Sequence, residues 1–317
     1  MQATGRPIPD ALELAFYLRA EGEPHVWPHA WTLSGAVLDE DDQAARLRRF
    51  LSSLSTDGVR RCGVGRATGG GKEAVAVVVV DAFADLEPIP TGAHVGQWVR
   101  FDARMLVRAT AAKLVVLGPS GLPRTVPTTL HDARVEATFA VERPGAFTVQ
   151  LLATADRGPR PVLEASVFAG VDPPGDWVAW PAPGEETVDG NADDASALRT
   201  MINGARSREG LGLLASSDDL DRAAQEHATA MLRARQLAHD AGDGGPLERL
   251  HAHGIPASIA GENVAHESTL VRAHRALWTS PSHRSNLLDA RFGELGVGIA
   301  RDPDGSLWVC EIFVDCA

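Results

Sequence analysis

The residues able to do chemistry are spread thinly along this 317-residue chain. His266-Glu267 opens as the helix of a zinc protease would, but the second histidine that such a helix needs does not follow. His251-Ala-His253 closes a short expected helix after Pro246; the pair reads as solvated surface, with a metal clip as the alternative. Cys62-Gly-Val-Gly65 and Gly69-Gly-Gly71 bring glycines together at GxGxxxG spacing, with a strand after them. A dinucleotide cradle wants GxGxxG between a strand and a helix, so these glycines are assigned to a hairpin. Cys310 has no partner motif for nucleophilic work and sits beside Trp308 on an expected buried strand. On an extended strand Cys310 and Cys316 lie about 20 Å apart, too far for a disulfide, which needs Cα atoms within about 7 Å. Cys62 reaches Cys316 only through tertiary contact, and the three cysteines are expected as buried thiols.

The elements that carry these residues follow from periodicity. Helices are predicted over Asp10–Arg19 and Asp41–Leu54, and strands around Cys62–Gly65 and Ala74–Val80. From Glu87 to Val171 apolar and polar residues alternate: Val135, Ala137, Phe139 and Val141 against Glu136, Thr138 and Glu142, then Phe147, Val149 and Leu151 against Thr148 and Gln150. With turn signals at Gly118–Gly121 and Pro144-Gly145, this predicts an antiparallel β-sandwich of immunoglobulin-like type. Pro173–Asn191, rich in Pro, Gly and acid, reads as a linker. Beyond it lie helices over Ala195–Arg208 and Asp218–Arg235, the second capped by Ser217 with Leu220, Ala224, His227 and Met231 as its apolar stripe. On that stripe His227 is expected as a satisfied core histidine. Ser268 is expected to cap a further helix through Trp278, and strands at Leu295–Arg301 and Ser306–Val314 close the chain.

Four motifs stand in order along the last third: Ala260-Gly-Glu-Asn-Val-Ala265, Trp278-Thr-Ser-Pro-Ser-His-Arg-Ser-Asn-Leu-Leu288, Gly296-Val-Gly-Ile-Ala300, and Trp308–Phe313. Residues 190–316 thereby resemble the bacterial branch of the CAP superfamily, which unites cysteine-rich secretory proteins, antigen 5 and plant pathogenesis-related proteins. The resemblance implies an α-β-α sandwich, and so an α+β multidomain chain: an α/β region at 1–86, the sandwich at 87–172, the linker at 173–191 and the CAP domain at 192–317. It places His239 where the first cavity histidine of the family falls, makes Glu262 the acid of Gly-Glu-Asn, and assigns His283 to the bacterial Ser-Pro-x-His-Arg motif. Asn263 follows Glu262, and Glu311, opposite in direction to Cys310 by strand alternation, is a candidate fourth polar wall. Arg284 and Asn286 are expected to fix the loop through backbone hydrogen bonds. The acid that animal members carry after the tryptophan of the penultimate helix is absent here, and Trp308 stands where they place a second histidine, so the animal cavity is incomplete.

Two imidazoles and a carboxylate support three chemistries: zinc binding with water in an open position, with His239 and His283 as ligands; acid–base hydrolysis through His239, Glu262 and His283; or a hydrogen-bonded cluster that holds loops. The leading expectation is a binding protein for a lipid, glycan or peptide, the alternatives being a hydrolase and a structural or adhesive envelope component. The 42 acidic against 30 basic residues leave a charge of −12, which excludes nucleic acid and anionic membranes as partners. No apolar run reaches the roughly 18 residues of a membrane span. Met1–Arg6 lacks the features of a signal peptide, while the family resemblance implies an extracellular or envelope location. Finally, Cys62-Gly-Val-Gly-Arg-Ala67 followed by Ala74–Asp81 echoes Leu295-Gly-Val-Gly-Ile-Ala300 followed by Trp308–Asp315. On that echo the first 85 residues are expected to pack as helix on antiparallel sheet, a degenerate CAP-like unit without cavity residues.

Overall fold

The structure is a computed structural model that describes residues 9–36, 38–54, 58–155, 158–188 and 192–315. Met1–Arg6 and Cys316 lie outside the described residues. The chain forms two compact units, one of residues 1–114, 126–153 and 161–178, the other of residues 115–125, 154–160 and 179–317.

Helix α1 (Ala11–Ala20) starts at Asp10, whose carboxylate accepts the Glu13 N–H at 2.9 Å. Strand β1 (His29–Gly35), helix α2 (Glu40–Ser53) and strands β2 (Val59–Gly69) and β3 (Lys72–Ala82) follow. Asp39 caps α2 on the Asp42 N–H at 2.8 Å, and Glu40, Asp41 and Asp42 complement the helix dipole. Leu47, Phe50, Leu51 and Leu54, at helical spacing, pack on Val75, Val77 and Val79 of β3. That strand is the centre of an antiparallel sheet of order β1-β3-β2. Gly70 and Gly71 close the β2–β3 hairpin at φ +59° and +71°, the left-handed values that a two-residue primed turn requires. Cys62 on β2 is exposed, not buried, because its strand is an edge that α2 leaves open.

Nine strands make two further sheets: β4 (Ala84–Leu86), β5 (Gly92–Ala93), β6 (Trp98–Met105), β7 (Ala111–Leu117), β8 (Arg124–Val126), β9 (Thr128–His131), β10 (Arg134–Ala140), β11 (Gly145–Ala155) and β12 (Gly158–Ala169). Their orders are β4-β6-β10-β9 and β5-β12-β11-β7-β8. Val135, Ala137 and Phe139 are buried, as are Phe147, Val149 and Leu151. Gln150, expected on an outer face, is buried as well, and its amide donates to Glu164 at 2.9 Å.

The C-terminal unit holds helix α3 (Asp194–Arg208), strand β13 (Ala215–Ser216), helices α4 (Asp218–Ala234) and α5 (Pro246–Ala252), strand β14 (Ala260–Glu267), helices α6 (Leu270–Thr279) and α7 (Pro281–Leu287), and strands β15 (Phe292–Arg301) and β16 (Leu307–Asp315). The sheet order is β13-β15-β16-β14, antiparallel except where β13 runs parallel to β15. Alternate residues of β16 serve opposite layers. Trp308, Cys310, Ile312 and Val314 pack with Leu220, Ala224 and Met231 of α4, whereas Leu307, Val309 and Phe313 pack with α3, α6 and α7 residues. The result is helix, sheet and helix in three layers. Helix α4 lies so close that a Cβ on Gly296 would stand 2.4 Å from the Leu220 carbonyl carbon, and one on Gly298 2.1 Å from that of Ala224. Only glycine admits that approach.

Three local expectations are corrected. Thr269, not Ser268, caps α6, accepting the Arg272 N–H at 3.3 Å. Ser217 occupies the start of α4, but its hydroxyl makes no capping bond. The end of the expected linker is packed structure: Ala182 is buried, His274 Nε2 donates to the Pro183 carbonyl at 2.9 Å, and Glu185 grips Arg275 through two bonds of 2.6 Å.

Candidate functional site

Glu262 and Asn263 are neighbours on the edge strand β14, so their side chains leave it on opposite faces of the sheet. Each gathers its own polar cluster.

On the α4 side, Glu262 is the hub, its side chain 1% exposed. His239, in the loop after α4, donates from Nδ1 to Glu262 Oε1 at 2.8 Å. Arg249 on α5 donates to Glu262 Oε2 and also takes the carbonyls of Gly244 and His239, the latter at 2.8 Å. His227, fully buried on the α4 stripe, bonds Asp243 at 2.8 Å and the Ala238 carbonyl at 3.0 Å, with Nε2 3.8 Å from Glu262. Burial alone would raise the Glu262 pKa; the His239 hydrogen bond and the Arg249 charge outweigh it and hold the carboxyl below its ordinary value. Cys310 Sγ lies 3.7 Å from Glu262 Oε2. Burial, and then the Glu262 charge, push this thiol well up, so it is a protonated, buried sulfur and not a nucleophile.

On the other face Asn263, fully buried, donates to Glu311 Oε2 at 2.9 Å and to the His283 carbonyl at 3.2 Å. Asn286 on α7 returns the bond, donating to Asn263 Oδ1 at 2.9 Å and to the Glu262 carbonyl at 3.1 Å. Glu311, also fully buried, is pushed up to about 8 by burial against the opposing Asn263 bond. Its Oε1 has no hydrogen-bond partner among the described residues. A neutral carboxylic acid at pH 7 is the consequence. Arg284 secures α7 from below: Nε donates to the Trp278 carbonyl at 2.5 Å and the guanidinium lies 4.0 Å over the Trp278 ring. Burial lowers this guanidinium to about 10.

His283, in the first turn of α7, is the exception among these groups. The residue is half-buried, its ring has no hydrogen-bond partner among the described residues, and burial with the nearby His239 charge lowers it to about 3. It is a neutral imidazole free to donate and accept. His239 is likewise open in part, with 23% of its side chain exposed. Glu262 is sealed beneath His239, and Glu311 belongs to the opposite face from Glu262. A hollow of about 440 Å³ lies beside α5, lined by Leu247, Leu250, His251, Ile255 and Pro256 among others, and none of the five expected site residues lines it.

Zinc does not fit this donor set. Among the described residues no three His, Cys, Asp or Glu side chains are placed to hold a metal ion. Glu262, which bonds His239, is already bound by the Arg249 cation. His239 and His283 are left without a third ligand.

Sequence reasoning missed Arg249, Asp243 and Cys310 as parts of the Glu262 cluster, and it read His227 only as a core residue. A polar ring on an otherwise apolar stripe was the available signal for His227. Arg249 gave none, since its partner is assigned by the fold of the loop before α5.

A three-layer domain whose edge strand carries Gly-Glu-Asn and whose short α7 carries Ser-Pro-x-His-Arg is the architecture of a CAP domain. Residues 199–312 match the sequence profile of the CAP family, described as the cysteine-rich secretory protein family, and this part of the chain belongs to it. The chain is similar to the uncharacterized protein YkwD of Bacillus subtilis, 29% identical over 110 residues that make up 34% of this chain and 42% of that protein. It thus spans less than half the length of that curated relative. Among solved structures it is similar to an outer surface protein of Borrelia burgdorferi (23% identity, 41% of this chain and 97% of that one, TM-score 0.38). A second is an extracellular protein containing a SCP domain from Bacillus anthracis (17% identity, 73% and 89% covered, TM-score 0.37). No helix among the described residues is long and apolar enough to cross a membrane.

Proposed function

We propose that the CAP domain is a ligand-binding module of an exported bacterial protein, and that the ligand contacts the imidazoles of His239 and His283. The observation that carries this reading is the state of His283: a neutral ring on a half-buried residue, without a hydrogen-bond partner among the described residues, in a site where the surrounding polar groups are tied to one another. Hydrolysis is disfavoured on the same geometry. A general base works best with a pKa near the working pH, whereas His283 is lowered to about 3 and both oxygens of Glu262 are engaged. The two-sheet region, read as an immunoglobulin-like module, would then act as spacer or second contact surface. Family analogy leaves lipid, glycan and peptide open as the ligand class. The test is a binding panel of soluble peptidoglycan fragments, neutral phospholipid vesicles and unstructured peptides, run by calorimetry on wild type, His239→Ala and His283→Ala. Saturable binding to one class, weakened in both variants without a fall in melting temperature, supports the reading. No saturable binding to any class, or equal binding in all three proteins, overturns it.

A further inference from the structure

Helix α5 faces two ways. Arg249 reaches Glu262, whereas Leu247, Leu250 and His251 line the hollow of about 440 Å³ beside the helix. These three positions are spaced i, i+3 and i+4, so they share one helical face. The rest of the lining comes from the chain after the helix and from the end of β16. Gly254, at φ +67°, turns that chain: its N–H donates to the His251 carbonyl, and the Ile255 N–H to the Leu250 carbonyl, both at 3.0 Å. Ile255 and Pro256 then line the hollow together with Asp315. Leu250 is 2% exposed and belongs to the core shared with α4 and β16, against which Ile255 also packs, whereas Leu247 is 65% exposed. The hollow thus has an apolar floor and an apolar rim. Its volume lies within the range of small-molecule sites, roughly 300–1,000 Å³.

Two side chains in this lining hold polar atoms in reserve. The His251 ring has no hydrogen-bond partner among the described residues. Asp315 is half-buried, and its Oδ1 accepts the N–H groups of Ser258 and Ile259, each at 3.0 Å, which fixes the carboxylate. Among the described residues Oδ2 accepts no hydrogen bond and the carboxylate has no ion pair. Asp315 is also the one fixed charge among the described lining residues, since Arg249 is engaged by Glu262. An apolar hollow with one uncompensated carboxylate selects its occupant by sign. An anionic group meets like charge, and a neutral apolar molecule covers Oδ2 without giving it a donor. An ammonium brings N–H donors and the opposite charge, and the net charge of −12 draws cations to the chain.

We propose that the hollow beside α5 is a binding site for a small organic cation, a short aliphatic chain that ends in an ammonium group. The chain lies against Leu247, Leu250, Ile255 and Pro256, the ammonium meets Asp315 Oδ2, and the His251 ring offers a second acceptor. This site is distinct from that of His239 and His283, neither of which lines the hollow. The probes are n-hexylammonium, hexan-1-ol and hexanoate, three molecules with the same chain and different heads. Each is titrated into the isotope-labelled full chain at pH 8, where free imidazole is neutral and an aliphatic amine charged, and followed by nuclear magnetic resonance. The variants are Asp315→Asn, whose amide oxygen can still accept the two backbone N–H groups, and Leu247→Ser, which changes an exposed side chain. The proposal expects saturable hexylammonium binding in the millimolar range, with amide shifts centred on Leu247, His251 and Ile255. It expects weaker binding of hexan-1-ol, none of hexanoate, about fivefold weakening in Asp315→Asn and a measurable loss in Leu247→Ser. Absence of saturable hexylammonium binding, equal affinity for hexan-1-ol or hexanoate, or unchanged affinity in either variant overturns it. So do shifts centred on His239 and His283, which would assign the cation to that site instead. Should Asp315→Asn fail to fold, the ranking of the three heads on wild type and the Leu247→Ser result still decide.

Discussion

Arg249 and Glu262 form an ion pair withdrawn from solvent, their side chains 5% and 1% exposed. Such a pair is a poor source of net stability, because desolvation offsets most of the attraction, yet breaking it leaves one buried charge without compensation. The pair is better understood as the fixing point of the His239 loop, since Arg249 also holds the His239 and Gly244 carbonyls.

Arg249→Met is accordingly expected to destabilise the CAP domain by about 3–5 kcal/mol in urea unfolding at pH 7. The double variant Arg249→Met, Glu262→Gln removes both charges and is expected to recover part of that loss. A double variant no more stable than Arg249→Met alone would show that shape, not charge, is the cost.

Glu311 sets the alkaline limit. Its folded pKa of about 8 lies above the ordinary 4.5, so its stabilising contribution is whole below pH 4.5 and is lost as pH rises through 8. Within that window the loss approaches about 1.4 kcal/mol per pH unit. Glu311→Gln, which keeps the Asn263 bond and never ionises, is expected to flatten the stability profile from pH 5 to 9 relative to wild type. A parallel profile for the two proteins would exclude Glu311 as the titrating group.

The layer order and the positions of β15 and β16 were legible from the motifs, whereas the stretch expected as a loop fixed by Arg284 and Asn286 is helix α7. The two glycines of Gly296-Val-Gly298 mark where α4 presses on the sheet, and Pro281 marks the first turn of α7. The site was legible only by halves. His239, Glu262 and His283 could be named, but not that Glu262 and Glu311 part to opposite faces with opposite pKa shifts. That outcome depends on which partner each meets: Arg249 and His239 for one, a neutral amide for the other. Ion-pair partners from separate loops leave no periodic trace in a sequence.

His283 is expected not to titrate near neutrality. With its folded pKa lowered to about 3 from 6.5, it stays neutral down to pH 4, and the stability this gives is present above pH 6.5 and lost as pH falls toward 3. Ring carbon and nitrogen shifts in nuclear magnetic resonance should stay constant for His283 between pH 5 and 8. A midpoint within that range would mean that its ring is hydrated far more than the geometry implies.

The thiols should separate by chemistry. Cys62 is exposed, whereas Cys310 is buried and its thiol is raised by burial and by Glu262. Brief iodoacetamide treatment of the native chain, mapped by peptide mass, is expected to modify Cys62 and spare Cys310 until denaturant is added. Equal labelling at both would show that β16 opens readily.

The paired glycines give the sharpest contrast. A Cβ at Gly298 would stand 2.1 Å from Ala224 backbone, which cannot yield without lifting α4, whereas at Gly65 it would meet no atom of the described residues within 4 Å. Gly298→Ala is therefore expected to cost at least about 1–3 kcal/mol, the usual penalty of overpacking, and more if α4 is displaced. Gly65→Ala replaces the less favourable strand residue and is expected to be neutral or to stabilise by about 0.5–1 kcal/mol. Thermal unfolding of the two single variants beside wild type measures both. If Gly65→Ala cost as much as Gly298→Ala, the β2 face would already be covered in the free chain. Its glycines would then report an existing contact.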